Sequence, residues 1–430
     1  MNKNGTVFKY SGVEWLGDVP NHWEVLKIKH LAKILRGQFS HRPRNDPKLY
    51  NGKFPFIQTG DVANANKFIM EYRQTLNEDG YAVSKEFSAG TLVMTIAANI
   101  GDMAILNFNA CFPDSVVGFI PSNKTGILFL YYLFSSMRKQ FLSTAVLNTQ
   151  LNLNIERISN LFTVIPPLSE QDKITEYLDR ETTQIDNLIA AKEQMLTLLE
   201  EKREALISHA VTRGLDPNVT FKRSGLDWLG DIPQHWNIER AKNLFSVRDE
   251  RSDSGDEELL SVSHITGVTS RADKQVYMFK AEDMTGYKRC TKGDFVTNTL
   301  WGWMGAMGVS PLDGIVSPDY HVYIFKGDLL PEFMELLCRS KPFIAEVVRW
   351  SKGVWSSRLR IYPENFFEIQ LPVPPKSEQL ELIDKVAKED EKNKELKNAL
   401  TDSIALLKER RSALITAAVT GQIALEEMTS

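Results

Sequence analysis

The feature that most constrains the fold of this chain is an internal repeat. Three segments of the first half return in the second half, in the same order and with mostly conservative exchanges. Self-similarity of this kind means that one structural unit is used twice. The paired segments are SGVEWLGDVPNHWEV at 11–25 with SGLDWLGDIPQHWNI at 224–238, IPPLSEQ at 165–171 with VPPKSEQ at 373–379, and EKREALISHAVT at 201–212 with ERRSALITAAVT at 409–420.

The sequence between the repeated segments has diverged almost completely. A small skeleton survives in GTLVMT at 90–95 against GDFVTN at 293–298, and in Pro113-Asp114 against Pro318-Asp319. Short apolar and β-branched runs predict strands, and one helical stretch follows in each half. The predicted strands are 54–58, 91–96, 116–120, 258–263, 294–298 and 322–325, and the predicted helical stretches are 128–141 and 331–348.

A long helix is predicted after each Pro-Pro pair, because more than forty residues follow without Gly or Pro. Ser169 and Ser377 are candidate N-caps. Heptad-spaced apolar residues favour pairing of the two helices, and at 1.5 Å per residue each is roughly 65 Å long. The apolar positions are Leu178, Ile185, Leu188, Met195, Leu199 and Leu206 in the first helix and Ile383, Val386, Leu400, Ile404, Leu407 and Leu414 in the second, with polar interruptions at Glu181, Lys192, Asp390 and Asn393.

The predicted fold class is α+β, with two mixed α/β domains separated by two long antiparallel coiled-coil helices in a pseudo-two-fold internal repeat. The alternative is two unrelated amphipathic helices, each packed on its own domain. The predicted boundaries are 1–167 for the first connector and domain, 168–213 for the central helix, 214–375 for the second connector and domain, and 376–430 for the C-terminal helix and tail.

Composition predicts a cytoplasmic protein. The chain is 43% hydrophobic, which is enough for two cores, and its three cysteines lie far apart without metal-ligand spacing. The first ten residues lack an apolar signal segment, and the apolar run 126–134 is too short to cross a bilayer. No membrane association and no metal site is therefore expected.

Charge is distributed unevenly although the net value is only −4. The first domain, from Val25 to Gln150, is basic, the central helix is acidic, and the second domain is nearly balanced with a local excess of bases at 339–360. Loops that carry Arg, Asn or Gln could contact phosphates and base edges. The candidate DNA-binding residues are Arg36, Gln38, Arg42, Arg44, Thr59, Asn99, Gln150 and Asn152 in the first domain, and Arg248, Arg251, His264, Trp301, Trp303, Lys352, Ser356 and Arg358 in the second.

The order of the duplicated motifs resembles the specificity subunit of type I restriction-modification enzymes. The motifs are the two Trp-Leu-Gly-Asp-x-Pro-x-His-Trp segments, the two Pro-Pro-x-Ser-Glu-Gln helix starts and the two Ala-Leu-Ile-x-x-Ala-Val-Thr helix ends, and together they cover nearly the whole chain. The resemblance implies two target-recognition domains, each reading one half of an asymmetric bipartite DNA site. It also implies that the paired helices are a conserved spacer that sets the distance between the two halves.

Partners are implied by the same resemblance. They are double-stranded DNA, two modification subunits that methylate adenine with S-adenosylmethionine, and two restriction subunits that use ATP and Mg²⁺ to translocate and cut DNA in phage defence. We expect the modification subunits to dock on the helices and duplicated connectors, which both halves share. The chain itself is expected to hold no cofactor.

The chain is not expected to be an enzyme on its own. Its Pro-Pro pairs lack the flanking amide and aromatic residue of an adenine methyltransferase, it has no phosphate-binding Gly-rich loop, and its seven histidines have no metal spacing. His22 and His235, each beside a Trp, are interpreted as packing and hydrogen-bonding residues. The alternatives are a protein–protein scaffold without DNA contact and, less favoured, a fragment of a self-contained restriction–methylation enzyme.

Overall fold

The computed structural model describes residues 7–97, 100–147, 151–273, 283–353 and 359–429. The chain divides into two compact units, one formed by Met1–Ala191 and Asp402–Ser430 and the other by Lys192–Thr401. Each unit therefore contains one of the two domains together with part of each long helix.

The first unit contains fifteen strands among its described residues. They are β1 (Phe8–Tyr10), β2 (Asp18–Pro20), β3 (Glu24–Lys27), β4 (Ala32–Arg36), β5 (Tyr50–Phe56), β6 (Phe68–Ile69), β7 (Gln74–Leu76), β8 (Glu86–Phe87), β9 (Leu92–Thr95), β10 (Met103–Leu106), β11 (Ala110–Cys111), β12 (Val116–Pro121), β13 (Ala145–Leu147), β14 (Leu151–Leu153) and β15 (Phe162–Ile165). The helices are α1 (Thr59–Asn64), α2 (Glu78–Ala82), α3 (Ile127–Ser136), α4 (Arg138–Ser143), α5 (Ile155–Ser159) and the first part of α6 (Leu168–Arg213).

A five-stranded sheet in the order β4-β12-β9-β10-β6 lies at the centre of the first domain, and a second sheet has the order β7-β5-β11-β8. The central sheet is antiparallel except for β6, which runs parallel to β10. Phe129 to Phe134 of α3 are all buried, because nearly every residue of this helix is apolar, and they share one core with Phe119 of β12. The domain is closed by pairing of β3 with β15.

The second unit contains twelve strands among its described residues. They are β16 (Phe221–Arg223), β17 (Asp231–Pro233), β18 (Asn237–Arg240), β19 (Phe245–Arg248), β20 (Leu260–Ser263), β21 (Gly267–Ser270), β22 (Lys288–Cys290), β23 (Phe295–Asn298), β24 (Met307–Val309), β25 (Gly314–Val316), β26 (Tyr320–Phe325) and β27 (Gln370–Val373). The helices are α7 (Ala241–Leu244), α8 (Pro331–Arg339), α9 (Lys341–Trp350), α10 (Pro363–Phe366) and the first part of α11 (Lys376–Val419); the short α12 (Leu425–Met428) belongs to the first unit.

The two domains share their topology although their sequences differ. The order β19-β26-β23-β24 in the second sheet repeats β4-β12-β9-β10 in the first. Gly90 and Gly293 have equivalent positions before β9 and β23, and both adopt positive φ, at 79° and 92°. Glycine adopts this conformation without a steric penalty, which accounts for its survival in the diverged sequence.

The single helical stretch predicted in each domain is two helices. In the first domain α3 and α4 are separated at Met137, and in the second α8 and α9 are separated at Ser340. Pro342 follows this second break at the start of α9, where a missing N–H costs nothing and the fixed φ suits the first turn.

The repeated segments form the same polar cluster in each unit, which we call the connector cluster. The buried Trp23 donates its Nε1–H to Glu170 at 2.8 Å, and Trp236 donates to Glu378 at 2.9 Å. His22 and His235 contact the same carboxylates at 2.9 Å and 2.6 Å. The interpretation of both histidines as hydrogen-bonding residues is confirmed, whereas their side chains are 51% and 46% exposed and do not pack in the core.

The glutamine of each Ser-Glu-Gln motif joins the helix start to its domain. The Gln171 side chain accepts from the Gly126 N–H at 2.8 Å and donates to the Lys124 and Pro166 carbonyls. Gln379 makes the corresponding bonds to Leu330, Asp328 and Pro374. Both glutamines are buried, so the motif is a structural device for anchoring the helix.

The N-cap prediction for Ser169 and Ser377 is wrong. Helix α6 begins at Leu168 and α11 at Lys376, one residue before each serine. The preceding residues, Pro167 and Pro375, supply the carbonyls that accept the first helical N–H bonds. The carboxylate of Glu170 or Glu378 then lies in the first turn, where the helix dipole favours negative charge.

Both long helices expected from the sequence are present, and within each unit they pack side by side. In the first unit Arg411 contacts Asp186 at 2.8 Å. In the second unit Arg203 contacts Asp390 at 2.8 Å and Lys397 contacts Glu200 at 3.7 Å, so residue numbers rise on α6 as they fall on α11. The pairing is therefore antiparallel.

The seam between the helices differs from the expected stripe at two positions. Leu188 and Met195 are 51% and 46% exposed, whereas Ile189 is buried and Leu196 half-buried. The seam advances by alternating steps of four and three residues from Ile185, as in a coiled coil, and Lys192 is one of its positions. Asp390 and Asn393 lie on it as the expected polar interruptions.

Candidate nucleic-acid interface

In the first domain, four chain segments meet at one end of the central sheet. The segment that leaves β4 is bound by the Gly37 N–H to the Val116 carbonyl at 2.9 Å. The Ile96 N–H of the β9–β10 loop donates to Ser115 at 2.9 Å, and the Ile96 carbonyl accepts from Leu153 of β14 at 3.1 Å. The segment after β4, the β9–β10 loop and the end of β14 are therefore neighbours.

Three of the predicted arginines lie around Asp114. Arg36 donates its Nε–H to the Asp114 carbonyl at 2.7 Å, Arg44 pairs with the Asp114 carboxylate, and an Arg42 nitrogen lies 3.7 Å from it. The Arg42 and Arg44 side chains are 56% and 43% exposed. One carboxylate cannot neutralise three guanidinium groups, so this end of the sheet carries net positive charge, as phosphate contact requires.

A groove of 590 Å³ lies beside this cluster. Its wall includes Arg44, Tyr50 and Gln58. Thr59 begins α1 directly after Gln58, and Gln38 is exposed on the segment that follows β4. The groove also contains Arg73 and Gln74, which the sequence analysis missed; Gln58 donates to Gln74 at 3.0 Å. No motif identifies these two, because they are brought to Arg44 only by the pairing of β7 with β5.

Of the remaining residues predicted in the first domain, only one is described by the structure. Asn152 lies in β14, paired through its backbone with Val146, while Asn99 and Gln150 lie outside the described residues. Arg138 of α4, another residue that sequence reasoning missed, holds the β9–β10 loop through Asp102 at 3.0 Å and through the carbonyls of Ile100 and Gly101.

The equivalent end of the second sheet also gathers its loops. Thr299, just after β23, donates its hydroxyl to the Asp319 carbonyl before β26. Gly302 in the β23–β24 loop lies so close to Ile361 that a Cβ atom there would be 2.6 Å from the isoleucine side chain. Lys352 and Arg360 exchange two backbone hydrogen bonds of 2.9 Å directly before Ile361. The loops predicted to contact DNA are therefore neighbours in this domain as well.

Arg248 and Arg251 are used differently. The Arg248 guanidinium forms two hydrogen bonds of 2.8 Å and 3.1 Å with the buried carboxylate of Asp294, and its side chain is only 15% exposed. Hydrogen bonding to Asp294 raises the pKa of Arg248 further above its ordinary value. Arg251 is exposed and donates to the Gly286 carbonyl at 3.1 Å. This geometry commits Arg248 to the domain's own structure and leaves Arg251 accessible.

Three other predicted residues of the second domain are exposed. They are His264 in the β20–β21 turn, Trp301 at 51% and Lys352, while Trp303 is half-buried. Arg339, missed in the sequence, donates to the carbonyls of His264 and Met307 and so joins the turn to β24. Ser356 and Arg358 lie outside the described residues.

The described part of the chain offers no group of His, Cys, Asp and Glu side chains that could hold a metal ion. All three cysteines are free and buried, and burial raises the pKa of the Cys290 thiol to about 12. Among the described helices, none is both long and apolar enough to span a membrane. The features of this surface are exposed cations, amides and aromatic rings at one end of each sheet.

Sequence comparison matches residues 20–199 to the family model of the type I restriction modification DNA specificity domain. The EcoBI specificity subunit of Escherichia coli is 24% identical over 90% of this chain and 84% of its own length. The MjaX specificity subunit of Methanocaldococcus jannaschii is 21% identical over 53% of this chain, and this chain spans only about half, 54%, of that relative.

Two solved structures share the fold. A chain from a study of complex assembly and conformational transition of the type I R-M system superimposes with a TM-score of 0.72, at 14% identity, over 94% of this chain and 99% of its own. The HsdS subunit of Thermoanaerobacter tengcongensis gives 0.51 at 14% identity, covering 94% and 98%. The duplicated motifs, the two similar domains, the paired long helices and these matches agree: residues 20–199 match the type I restriction modification DNA specificity domain, and nearly the whole chain is similar to type I restriction-modification specificity subunits.

Proposed function

We propose that this chain reads a two-part DNA sequence, one half with each recognition domain, for a type I restriction-modification complex. The observation that carries the proposal is the repeated position of the polar loops. The same end of the same sheet topology carries these loops in both domains, yet the loop sequences are unrelated. A duplicated scaffold with different loops suits recognition of two different half-sites, because loops supply specificity while the scaffold positions them.

Charge at the first domain supports contact with DNA. Arg42 and Arg44 share the Asp114 carboxylate, Arg36 donates to the backbone carbonyl of the same residue, and Gln58 and Gln74 present amides in the adjacent groove. Arginine can pair with guanine and glutamine with adenine in the major groove, each good pair being worth roughly 1–3 kcal/mol of discrimination. We propose that the arginines bind phosphates or guanine edges and that the amides read adenine.

The long helices are the proposed docking sites for two modification subunits and, through them, two restriction subunits. Supporting this, the helices keep large apolar side chains exposed on each unit: Leu188 and Leu406 on the first, and Met195, Leu198 and Leu396 on the second. S-adenosylmethionine, ATP and Mg²⁺ would be bound by those partners, and the helices would set the spacer between the two half-sites. Removal of 376–419 without loss of modification-subunit binding would contradict this docking site.

The test is to map adenine methylation by single-molecule sequencing. DNA would be taken from cells that express the chain with its modification subunit and from cells that lack only this chain. The proposal expects a gapped, two-part methylated motif that depends on the chain. Methylation that is unchanged by deleting the chain would refute it.

The scaffold alternative makes a different prediction about salt. If the chain contacts phosphates, the affinity of its complex for DNA should fall steeply as salt rises, since counterions are released on binding. If the chain is instead a scaffold that does not touch DNA, changing Arg36, Arg42 and Arg44 all to Gln should leave the affinity of the complex for DNA unaltered.

A further inference from the structure

Trp301 stands out on the recognition surface of the second domain. It lies in the loop between β23 and β24 and is 51% exposed, and its neighbours Leu300 and Met304 are 40% and 37% exposed. Three large apolar side chains at the tip of one short loop cost solvation free energy unless they serve an interaction.

The loop that carries Trp301 is held firmly. The buried Asn298 side chain accepts from the backbone N–H groups of Leu300 and Trp301 at 3.1 Å and 3.3 Å, and it donates to the Val262 carbonyl at 3.4 Å. Trp303 donates its indole N–H to the Leu300 carbonyl at 3.0 Å. Its ring lies nearly parallel to that of Trp301, with centroids 6.5 Å apart. The exposed indole is therefore presented on a pre-organised support.

The surroundings of the loop favour duplex DNA as the occupant. Gly302 packs on Ile361, and the segment next to Ile361 carries the exposed cations Lys352 and Arg360. Cations beside an apolar tip suit a phosphate backbone on either side of an opened base step. Proteins that insert apolar side chains between base pairs partly unstack the step and bend the duplex, which brings more protein surface into contact.

We propose that Trp301, supported by Leu300 and Met304, is a wedge that inserts at one base step of the half-site read by the second domain. This inference rests on the proposed function and adds a recognition mechanism to it. The equivalent loop of the first domain, 96–102, contains no aromatic residue. Unstacking is thus confined to one half-site, and a flexible pyrimidine–purine step is favoured there without a hydrogen bond to its bases.

The experiment uses the full chain in complex with its modification subunits and duplexes that carry the mapped motif. 2-Aminopurine, whose fluorescence rises when it unstacks, replaces each unmethylated adenine in and beside the motif in turn. We expect a rise at one step in the second domain's half only. Trp301→Ala should abolish the rise and weaken DNA binding by about ten-fold, as loss of one stacking contact does. Trp301→Phe should retain most of both.

The matched control is Leu312→Ala. Leu312 is 36% exposed beyond the other end of β24, and its loss should leave the fluorescence and the affinity unchanged. A Trp301→Ala complex that folds, binds the motif at wild-type affinity and gives the wild-type fluorescence would overturn the wedge while leaving the proposed function intact. Failure of the wild-type complex to select its motif in the same assay would overturn both.

Discussion

At the residue scale, the ion pair between Arg248 and Asp294 distinguishes Arg248, a structural cation, from the exposed Arg251. Asp294 is 4% exposed and depends on Arg248 for its charge balance. We predict that Arg248→Met lowers the free energy of unfolding by about 3 kcal/mol, because it leaves a buried carboxylate unpaired. Arg251→Met, which removes an exposed cation nearby, should change stability by less than about 0.5 kcal/mol. Urea unfolding of the two variants measures both effects, and equal stabilities would contradict the assignment.

His321 gives a prediction about pH. Burial and the nearby Lys288 ammonium lower its pKa from 6.5 to about 4. The folded state therefore binds this proton less readily than the unfolded state, and stability decreases as the pH falls from about 6.5 towards 4. Between pH 7 and 4.5 this group alone should cost on the order of 2 kcal/mol.

The measurement is urea unfolding of the wild type and of His321→Gln at those two pH values. Glutamine cannot be protonated, so the variant should lose less stability on acidification than the wild type. Identical losses in the two proteins would show that His321 does not contribute to the pH dependence.

Candidate residues could be selected from the sequence only by chemical type. Arg36 and Arg248 are the last residues of β4 and β19, and both were predicted to bind DNA. Only the structure shows that Arg36 is exposed while Arg248 is bound to Asp294, a residue 46 positions away in the sequence. Gln74 and Arg339 were missed for the same reason, since their positions depend on tertiary contacts.

At the scale of elements, the connector cluster explains why two short motifs recur together. Glu170→Ala should destabilise the first unit by about 2 kcal/mol, because the buried Trp23 N–H loses its acceptor and His22 loses its partner. Glu378→Ala should have the same effect on the second unit through Trp236. Glu176→Ala, an exposed position two residues before Leu178 in the same helix, is the control and should be nearly neutral.

A double-mutant cycle tests the pair directly. If Trp23 and Glu170 interact as described, Trp23→Phe together with Glu170→Ala should cost less than the sum of the two single changes. Additive costs measured by thermal or urea unfolding would mean that Glu170 acts through other contacts.

Elements were predictable from the sequence where a single physical rule dominates. The absence of Gly and Pro predicted both long helices, and β-branched runs predicted the central strands. The first residue of each long helix was harder to predict. Ser169 has the chemistry of an N-cap, but the Pro167 carbonyl accepts the first helical N–H bonds. The seam was misjudged at Leu188 and Met195 because which of two adjacent apolar stripes faces the partner helix is decided by packing, not by spacing.

At the scale of the whole molecule, each recognition domain is inserted into its unit through a two-stranded ribbon. β3 pairs with β15, with Lys27 opposite Phe162, and β18 pairs with β27, with Arg240 opposite Gln370. The next backbone bond is also equivalent, from the Ile28 N–H to the Leu161 carbonyl at 3.0 Å and from the Ala241 N–H to the Ile369 carbonyl at 2.8 Å. These ribbons define matched points at which one domain can replace the other.

The sequence identified this duplication through its repeats, but the shared sheet topology was hidden because surface and core residues had both diverged. The ribbons make a strong test possible: residues 241–369 are replaced by a second copy of 28–161. The ends of the grafted segment would then join β18 and β27, which pair in the same way as β3 and β15, the strands that flank this segment in its own unit. Folding should therefore be preserved. The resulting chain would carry the same module in both halves of its internal repeat.

With its modification subunits, the grafted chain should direct adenine methylation to a motif in which the first domain's half-site occurs twice as an inverted repeat. The second half-site should disappear, and with it the 2-aminopurine signal assigned to Trp301. Methylome sequencing of cells that carry the graft measures the motif, and an unchanged unfolding transition is the control for folding. A folded graft that still methylates the original asymmetric motif would mean that the loops of the second domain do not read DNA, whereas an inverted repeat would establish that each domain reads its half-site independently.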